Sequence, residues 1–354
     1  RVTALKLGSL FDGIGVFPLA AVHCGIEPVW ASEIEARPIS ITKRHFPDML
    51  HLGDITKISG AEIPPVDVIT FGSPCQDLSQ IGTRNGFAGK KSSLFYQAMR
   101  IIEEMRYATN GRYPAFCIWE NVAGAFSSND RLDFAAMLRA FTGAEVSVPP
   151  RGWAHAGMVR GGRADTAWRL LDAQYWGEPA LVQRRKRVFV VADFAGQRAG
   201  EVLFKPRTVL PFSEIGSSGG LSATQRGGVP AAQTGRQVPI VRPFSLRRMR
   251  TMAQVGDQKG FCASFGRGGE PFPTLLASVT APFSFWYEGE ERDGFLRVLT
   301  PLECERLMGL PENWTKYGCK NEEISDHARY RALGNSIALP CAEYVMAGIA
   351  EVMN

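Results

Sequence analysis

Leu5-Lys6-Leu7-Gly8-Ser9-Leu10-Phe11-Asp12-Gly13-Ile14-Gly15 reads as a strand, Leu5 to Leu10, that runs into a glycine-spaced turn and enters a helix at about Val16. Gly25 stops that helix, and a second strand, Pro28 to Ala31, follows with Glu33 just beyond it. Pro38 stands near the start of the next helix, where proline is tolerated. The apolar run Val66 to Phe71 is a further strand. A helix of roughly Ser93 to Ala108 comes next, with Leu94, Ala98, Ile101, Ile102 and Met105 on one face. Ala115 to Trp119 and Val188 to Ala192 complete the alternation of strands and helices up to about Asp193, the pattern of a doubly wound α/β sheet.

Past Asp193 the texture changes to Gly, Ser, Pro and Gln in irregular order, notably Gly216 to Gly235, with short β-like runs such as Phe283 to Tyr287. The chain therefore divides into a first α/β domain, 1–193 plus 330–354, and an inserted small, loop-rich β domain, 194–329. Thr300-Pro301-Leu302-Glu303 carries a capping box with proline at the first helical position, so a helix starts there and ends near Gly309. A last helix takes most of Pro340 to Met353.

The 354 residues are 45% hydrophobic and 21% charged, enough to bury a sizeable core. The sequence has no apolar run long enough for a membrane span, and its start lacks the order of a signal peptide, so the cytoplasm is the expected location. The seven cysteines form no CxxC pair and the five histidines no HxxxH, which argues for reduced thiols and no metal. Of the net charge of +5, the stretch Ala195 to Leu296 carries +4, with twelve Lys plus Arg against eight Asp plus Glu. A polyanion would meet that stretch, although an ordinary solvated surface has the same composition.

Three features carry chemistry. Phe11-x-Gly13-x-Gly15 lets a ligand approach the backbone, and Glu33, at the end of the next strand, is placed to accept hydrogen bonds from ribose hydroxyls. The third glycine of G-x-G-x-x-G is missing, which favours an adenosine-type cofactor over a pyrophosphate; a tight structural turn is the plainer alternative. Asp54 suits an adenine amino group or plain solvent equally. Gly72-Ser73-Pro74-Cys75-Gln76 then mounts a thiol at a strand tip among small residues, the usual setting of an exposed nucleophile, although most free cysteines are buried and inert. Glu120 also follows an apolar strand, so it and Cys75 should emerge at one sheet edge, where a carboxyl can hold a proton for a ring nitrogen or merely cap a helix. Finally, in Gln183-Arg184-Arg185-Lys186-Arg187 a period of two puts Gln183, Arg185 and Arg187 on one face, which suggests two arginines aimed together at a carbonyl or phosphate.

In order along the chain, Phe11-Asp12-Gly13-Ile14-Gly15, Glu33, Asp54, Gly72-Ser73-Pro74-Cys75-Gln76, Ser93-Leu94-Phe95, Glu120-Asn121-Val122 and Gln183-x-Arg185-x-Arg187 stand before the variable stretch. After it come Arg297-x-Leu299-Thr300-Pro301-x-Glu303 and Gly334-Asn335-Ser336. This series resembles the DNA (cytosine-5)-methyltransferases of bacterial or phage type over nearly the whole length. The resemblance implies a Rossmann-like fold dependent on S-adenosylmethionine, with S-adenosylhomocysteine as product, and duplex DNA as substrate. It casts Cys75 as nucleophile on C6 of a flipped cytosine, Glu120 as the group on N3, Arg187 on O2 and Arg185 as ordering the site. Phe11, Gly13, Gly15, Glu33, Asp54, Pro74, Leu94 and Asn335 would cradle the cofactor. Gln76 to Gly89 resembles the family's mobile loop, so Gln76, Ser79 and Arg84 would touch DNA. Arg267, in Gly266-Arg267-Gly268-Gly269, and Thr274 resemble the base-reading region, with Arg247, Arg248 and Arg250 suited to phosphates.

Two departures stand out. Val16 replaces a glycine usual in the family and could crowd the cofactor, and Ala180-Leu181-Val182 is an extra triplet between Gly177-Glu178-Pro179 and Gln183. They motivate a rival reading as a DNA-binding homologue without activity. The tRNA-methylating branch is a second rival, though its Cys-Phe-Thr tripeptide is missing. A monomer is expected, the DNA word is not legible, and a cognate restriction endonuclease is the one protein partner the resemblance suggests.

Overall fold

The computed structural model describes residues 4–73, 94–205, 240–244, 275, 283–287 and 294–354. The chain divides into two compact units, one of residues 1–171, 186–207 and 341–354, the other of 172–185 and 208–340. The divisions fall fourteen residues beyond Asp193 and eleven beyond 329, and the second unit also takes 172–185.

The first unit is built on an eight-stranded sheet. Its strands are β1 (Lys6–Leu10), β2 (Glu27–Ser32), β3 (Leu50–His51), β4 (Val68–Phe71), β5 (Phe116–Val122), β6 (Ala156–Arg160), β7 (Asp165–Asp172) and β8 (Lys186–Asp193), in the order β3-β2-β1-β4-β5-β8-β7-β6. Pairs from β3 through β5 are parallel; β5 with β8 and β6 with β7 are antiparallel. Connections reverse direction between β1 and β4, and the carboxyl ends of those strands, Leu10 and Phe71, frame the crevice where open α/β sheets take ligands. Helices α1 (Val16–His23), α2 (Ala36–His45), α3 (Leu94–Ala108), α4 (Leu132–Thr142) and α5 (Ala199–Leu203) join the strands.

Close packing explains local choices. A Cβ on Gly8 would lie 2.1 Å from the Trp30 ring, so the indole crosses β1 where no side chain stands. Trp30 Nε1 then donates to the Pro64 carbonyl at 2.9 Å. On α3, Ala98, Ile101, Ile102 and Met105 are buried as the period predicts. An aromatic chain of Phe71, Phe95, Phe141, Trp119 and Phe134 continues this core with ring centroids 5.9–6.4 Å apart. α1 is buried on nearly every side and ends before Gly25, whose φ of +73° suits glycine.

In the second unit, β9 (Ile240–Phe244), β10 (Phe283–Tyr287) and β11 (Gly294–Val298) form an antiparallel sheet in the order β11-β10-β9. Helix α6 (Pro301–Leu307) begins in the expected capping box: Thr300 Oγ1 accepts from Glu303 N at 3.3 Å and Glu303 Oε2 from Thr300 N at 2.8 Å. α7 (Asp326–Asn335) follows, whereas α8 (Leu339–Met353) belongs to the first unit from Cys341 on. Neither α4, α7 nor the β6–β7 hairpin is among the elements read from the sequence.

Candidate active site at the carboxyl edge of the sheet

The turn after β1 is held in left-handed backbone: φ is +54° at Phe11, +60° at Gly13 and +77° at Gly15. Glycine relieves that strain at two of the three positions, and Phe11 bears it, as residues at ligand sites do. Space is open for 4 Å where a Gly13 Cβ would stand, so this backbone is approachable. Glu33 does more than wait for a ribose. Its Oε2 accepts from Gly13 N at 2.9 Å, and its Oε1 from Ile34 N at 2.8 Å and Glu35 N at 3.0 Å, so one carboxylate fixes the turn and the end of β2 together. Each oxygen keeps acceptor capacity for a hydroxyl donor. Asp54 caps a short turn through Oδ1, which accepts from Thr56 N at 2.9 Å and Thr56 Oγ1 at 2.8 Å; those bonds hold its carboxyl below the usual range. Phe11, Leu52 and Leu94 pack against the same core cluster.

Asp12, absent from the sequence-derived site, is the anomaly of this turn. Neither of its buried carboxyl oxygens has a hydrogen-bond partner among the described residues. Burial pushes its pKa up to about 7; Glu33 adds to the rise, and the Ser9 and Thr42 hydroxyls offset part of it.

The second cluster lies where β4 and β5 end. Trp119 Nε1 donates to Ser73 Oγ at 3.1 Å, and Asn121 Nδ2 donates to the Ser73 carbonyl at 3.1 Å, which pins the segment after β4 onto β5. Glu120 Oε2 would be 3.1 Å from a Gly72 Cβ, so the carboxylate lies over the backbone of residue 72, three positions before Cys75. In the β5–β8 ladder Val122 is opposite Arg187, which puts Glu120 and Arg187 on one face, and Arg187 Nε meets Glu120 Oε1 at 3.0 Å. Both side chains are about one-eighth exposed, so the pair is strongly desolvated yet still open on one side.

Arg185 has a different task. It is fully buried in the second unit, where Nη1 donates to the Leu275 carbonyl at 2.8 Å and Nη2 to Gly334 at 2.9 Å and to Ser336. The residues on either side of Asn335 are thereby fixed by one guanidinium. Gln183 joins this frame by donating to Leu307 O at 2.9 Å and accepting from Leu275 N at 3.3 Å. The alternation of burial at 183, 185 and 187 is as expected. The expectation that Arg185 and Arg187 aim together at one ligand is corrected, because Arg185 spends its donors on main-chain carbonyls.

Val16 is 2% exposed, hence part of the core rather than of the turn's open surface, which removes the reason to expect crowding. Ala180 and Leu181 of the extra triplet are buried too, with Leu181 N donating to Trp176 O at 2.9 Å, so the insertion is absorbed into packing. Pro74, Cys75, Gln76, Ser79, Arg84, Arg267 and Thr274 lie outside the described residues, as do Arg247, Arg248 and Arg250. Among the described residues no three His, Cys, Asp or Glu gather as metal ligands, and no single helix is long and apolar enough to cross a membrane.

A doubly wound sheet with a glycine turn after β1 and an acid after β2 is the fold of S-adenosylmethionine-dependent methyltransferases. The crystal structure of the S. pombe Dnmt2 methyltransferase superposes with a TM-score of 0.59 at 16% identity, covering 99% of this chain and 100% of that one. The family described as C-5 cytosine-specific DNA methylase matches residues 5–206 and 246–351, and the chain belongs to it. The family's cofactor is S-adenosylmethionine, and the open, acid-braced turn at Gly13 fits it. Among curated relatives, the type II methyltransferase M.HhaI of Haemophilus parahaemolyticus is 23% identical over 100% of this chain and 97% of its own. A protein of Escherichia phage P1 named DNA N-6-adenine-methyltransferase is 24% identical over 96% of this chain, which spans 60% of that relative's length.

Proposed function

We propose that this protein methylates C5 of a cytosine flipped out of duplex DNA, through a covalent bond to Cys75. The observation that carries this reading is the Glu120–Arg187 pair lying over Gly72, three residues before the thiol. A cytosine ring presents N3 and O2 side by side, and a carboxylic acid next to a guanidinium matches that edge: protonated Glu120 donates to N3 and Arg187 donates to O2. Entry of the ring opens the ion pair, and Glu120 takes up a proton from solvent as it exchanges Arg187 for N3. The Cys75 thiolate then adds to C6, and the electron pair of the C5–C6 bond moves to C5, where Glu120 and Arg187 stabilise the charge spread into the ring. S-adenosylmethionine, held at the turn by Phe11, Gly13 and Glu33, would supply an electrophilic methyl group for C5, with the homocysteine thioether as its leaving group. Loss of the C5 proton returns its electron pair to the C5–C6 bond and expels the Cys75 thiolate. Arg185 acts as a positioning residue for the segment around Asn335, and residues 194–329 are proposed to choose the DNA sequence.

Adenine amino chemistry, which the phage P1 relative's name describes, finds less support, since no Pro-Pro-aromatic motif occurs in the chain. Bisulfite sequencing of plasmid DNA from an expressing cell tests the reading. Protected cytosines in a fixed sequence context, lost with Cys75→Ser, are expected; N6-methyladenine with fully converted cytosines would overturn it. Arg187→Ala should lower the rate by about 10²–10³, the usual loss of one charge-stabilising donor.

A further inference from the structure

Beyond Val122 the chain leaves β5 and makes a loop that holds an unusual conformation: φ is +47° at Asn129, +50° at Asp130 and +72° at Arg131. Three successive non-glycine residues in the left-handed region are costly and persist only when their surroundings hold them. Here Ser128 Oγ donates to Asp133 Oδ2 at 2.5 Å and Asn129 Nδ2 to Asp133 Oδ1 at 3.0 Å, and Asp133 is fully buried. Trp153 Nε1 donates to the Arg131 carbonyl at 3.0 Å, which ties the loop to a second segment, residues 149–155.

That tie sets Arg131 beside the segment that carries Arg151. The Arg131 guanidinium lies against Gly152, with Cζ 3.3 Å from where a Gly152 Cβ would stand, and Arg151 is the next residue back. Both arginines are exposed, and neither forms an ion pair among the described residues, not even Arg131 with its neighbour Asp130. His155 stacks on Phe126 at 6.4 Å, which holds the same two segments together farther along. All of this belongs to the first unit, and the loop starts three residues after Glu120. Unpaired exposed arginines on a pinned loop are a fixed anion-binding surface, since a flexible one would lose more entropy on contact.

We propose that Arg131 and Arg151 grip the phosphate backbone of duplex DNA, outside the base-reading contacts, and so seat the duplex against the sheet edge that carries Glu120. This rests on duplex DNA being the substrate. Each phosphate contact should contribute to affinity alike for every sequence and add about one to the slope of log K against log salt.

The test is fluorescence anisotropy of the full chain with a labelled duplex of arbitrary sequence between 50 and 200 mM salt, for wild type, Arg131→Ala, Arg151→Ala, the double variant and Arg131→Lys. Over that fourfold rise in salt, each alanine should spare about three- to fourfold of the wild-type loss of affinity, the double variant both factors, and lysine none. Equal unfolding temperatures exclude a folding defect, and Arg131→Lys, which keeps the charge at the strained position, covers the case in which alanine there fails to fold. Equal slopes in wild type and double variant overturn this inference alone. A wild type with no affinity for duplex DNA overturns the substrate reading beneath it.

Discussion

Two buried ionisable side chains, one in each unit, are treated in opposite ways. Arg185 has its guanidinium surrounded by main-chain carbonyls of residues 275, 334 and 336, so its charge is solvated by the protein itself. Asp12, within the glycine turn, has no hydrogen-bond partner on either buried oxygen among the described residues, only the Ser9 and Thr42 hydroxyls that offset part of the effect of burial, and it holds its proton up to about pH 7. The first arrangement is a strut: its energy is returned in fixed geometry around Asn335. The second is a store of strain, because ionising Asp12 leaves a bare charge beside Glu33. Glu120 and Arg187 stand between these extremes, paired with one another and accessible from one side, as groups that must change partners during a reaction are.

Replacing Arg185 by alanine should do the greatest damage. Two buried carbonyls and a partly buried one lose their donor at about 1–3 kcal/mol each, so a loss of about 5 kcal/mol is expected in denaturant unfolding. A loss below about 1 kcal/mol would show that the strut carries no load. Asp12→Asn should act with the opposite sign and with pH. A carboxyl whose folded pKa exceeds its unfolded value stabilises the fold fully below about pH 4, and that contribution is lost as pH rises to about 7. Above pH 7 the variant should therefore be more stable than wild type by on the order of 4 kcal/mol, with little difference at pH 4. Parallel stability profiles would place Asp12 among ordinary carboxylates.

Smaller effects probe packing. Gly8→Ala drives a methyl into the Trp30 ring and should cost about 1–3 kcal/mol, read as a fall in unfolding temperature. Val16→Gly removes a buried side chain at a helix start and should cost about 1–3 kcal/mol without tightening S-adenosylmethionine in calorimetry; tighter binding would revive the crowding idea.

Much of this was legible in sequence, for physical reasons. The parallel half of the sheet announces itself because β1, β2, β4 and β5 are apolar runs closed by Gly or acid at the crevice, and α3 shows its buried face at helical spacing. The capping box at Thr300 is local chemistry and needs no tertiary context. By contrast α7, Asp-His-Ala-Arg-Tyr-Arg-Ala-Leu-Gly-Asn, has no apolar stripe to read. It is held by Arg329, which donates to Thr315 Oγ1 at 3.1 Å and to the fully buried Glu305 at 3.1 Å, contacts made across 14 and 24 residues of sequence. Arg185 and Arg187 share a residue type and a face, so their spacing alone does not separate the buried strut from the residue that pairs with Glu120; only the resemblance gave them different roles. Asp12 is ordinary as a residue type, and only its burial in the folded turn makes it notable.

The proposed reaction turns on a covalent bond between Cys75 and the cytosine ring beside Glu120. Duplex DNA carrying 5-fluorocytosine at the methylated position tests it directly, because fluorine at C5 cannot leave as a proton and so traps the adduct. With S-adenosylmethionine present, a denaturation-resistant complex with the mass of protein plus methylated strand is predicted, absent with Cys75→Ser. Methylation of unmodified DNA by a protein that forms no such complex with the fluorinated duplex would contradict it.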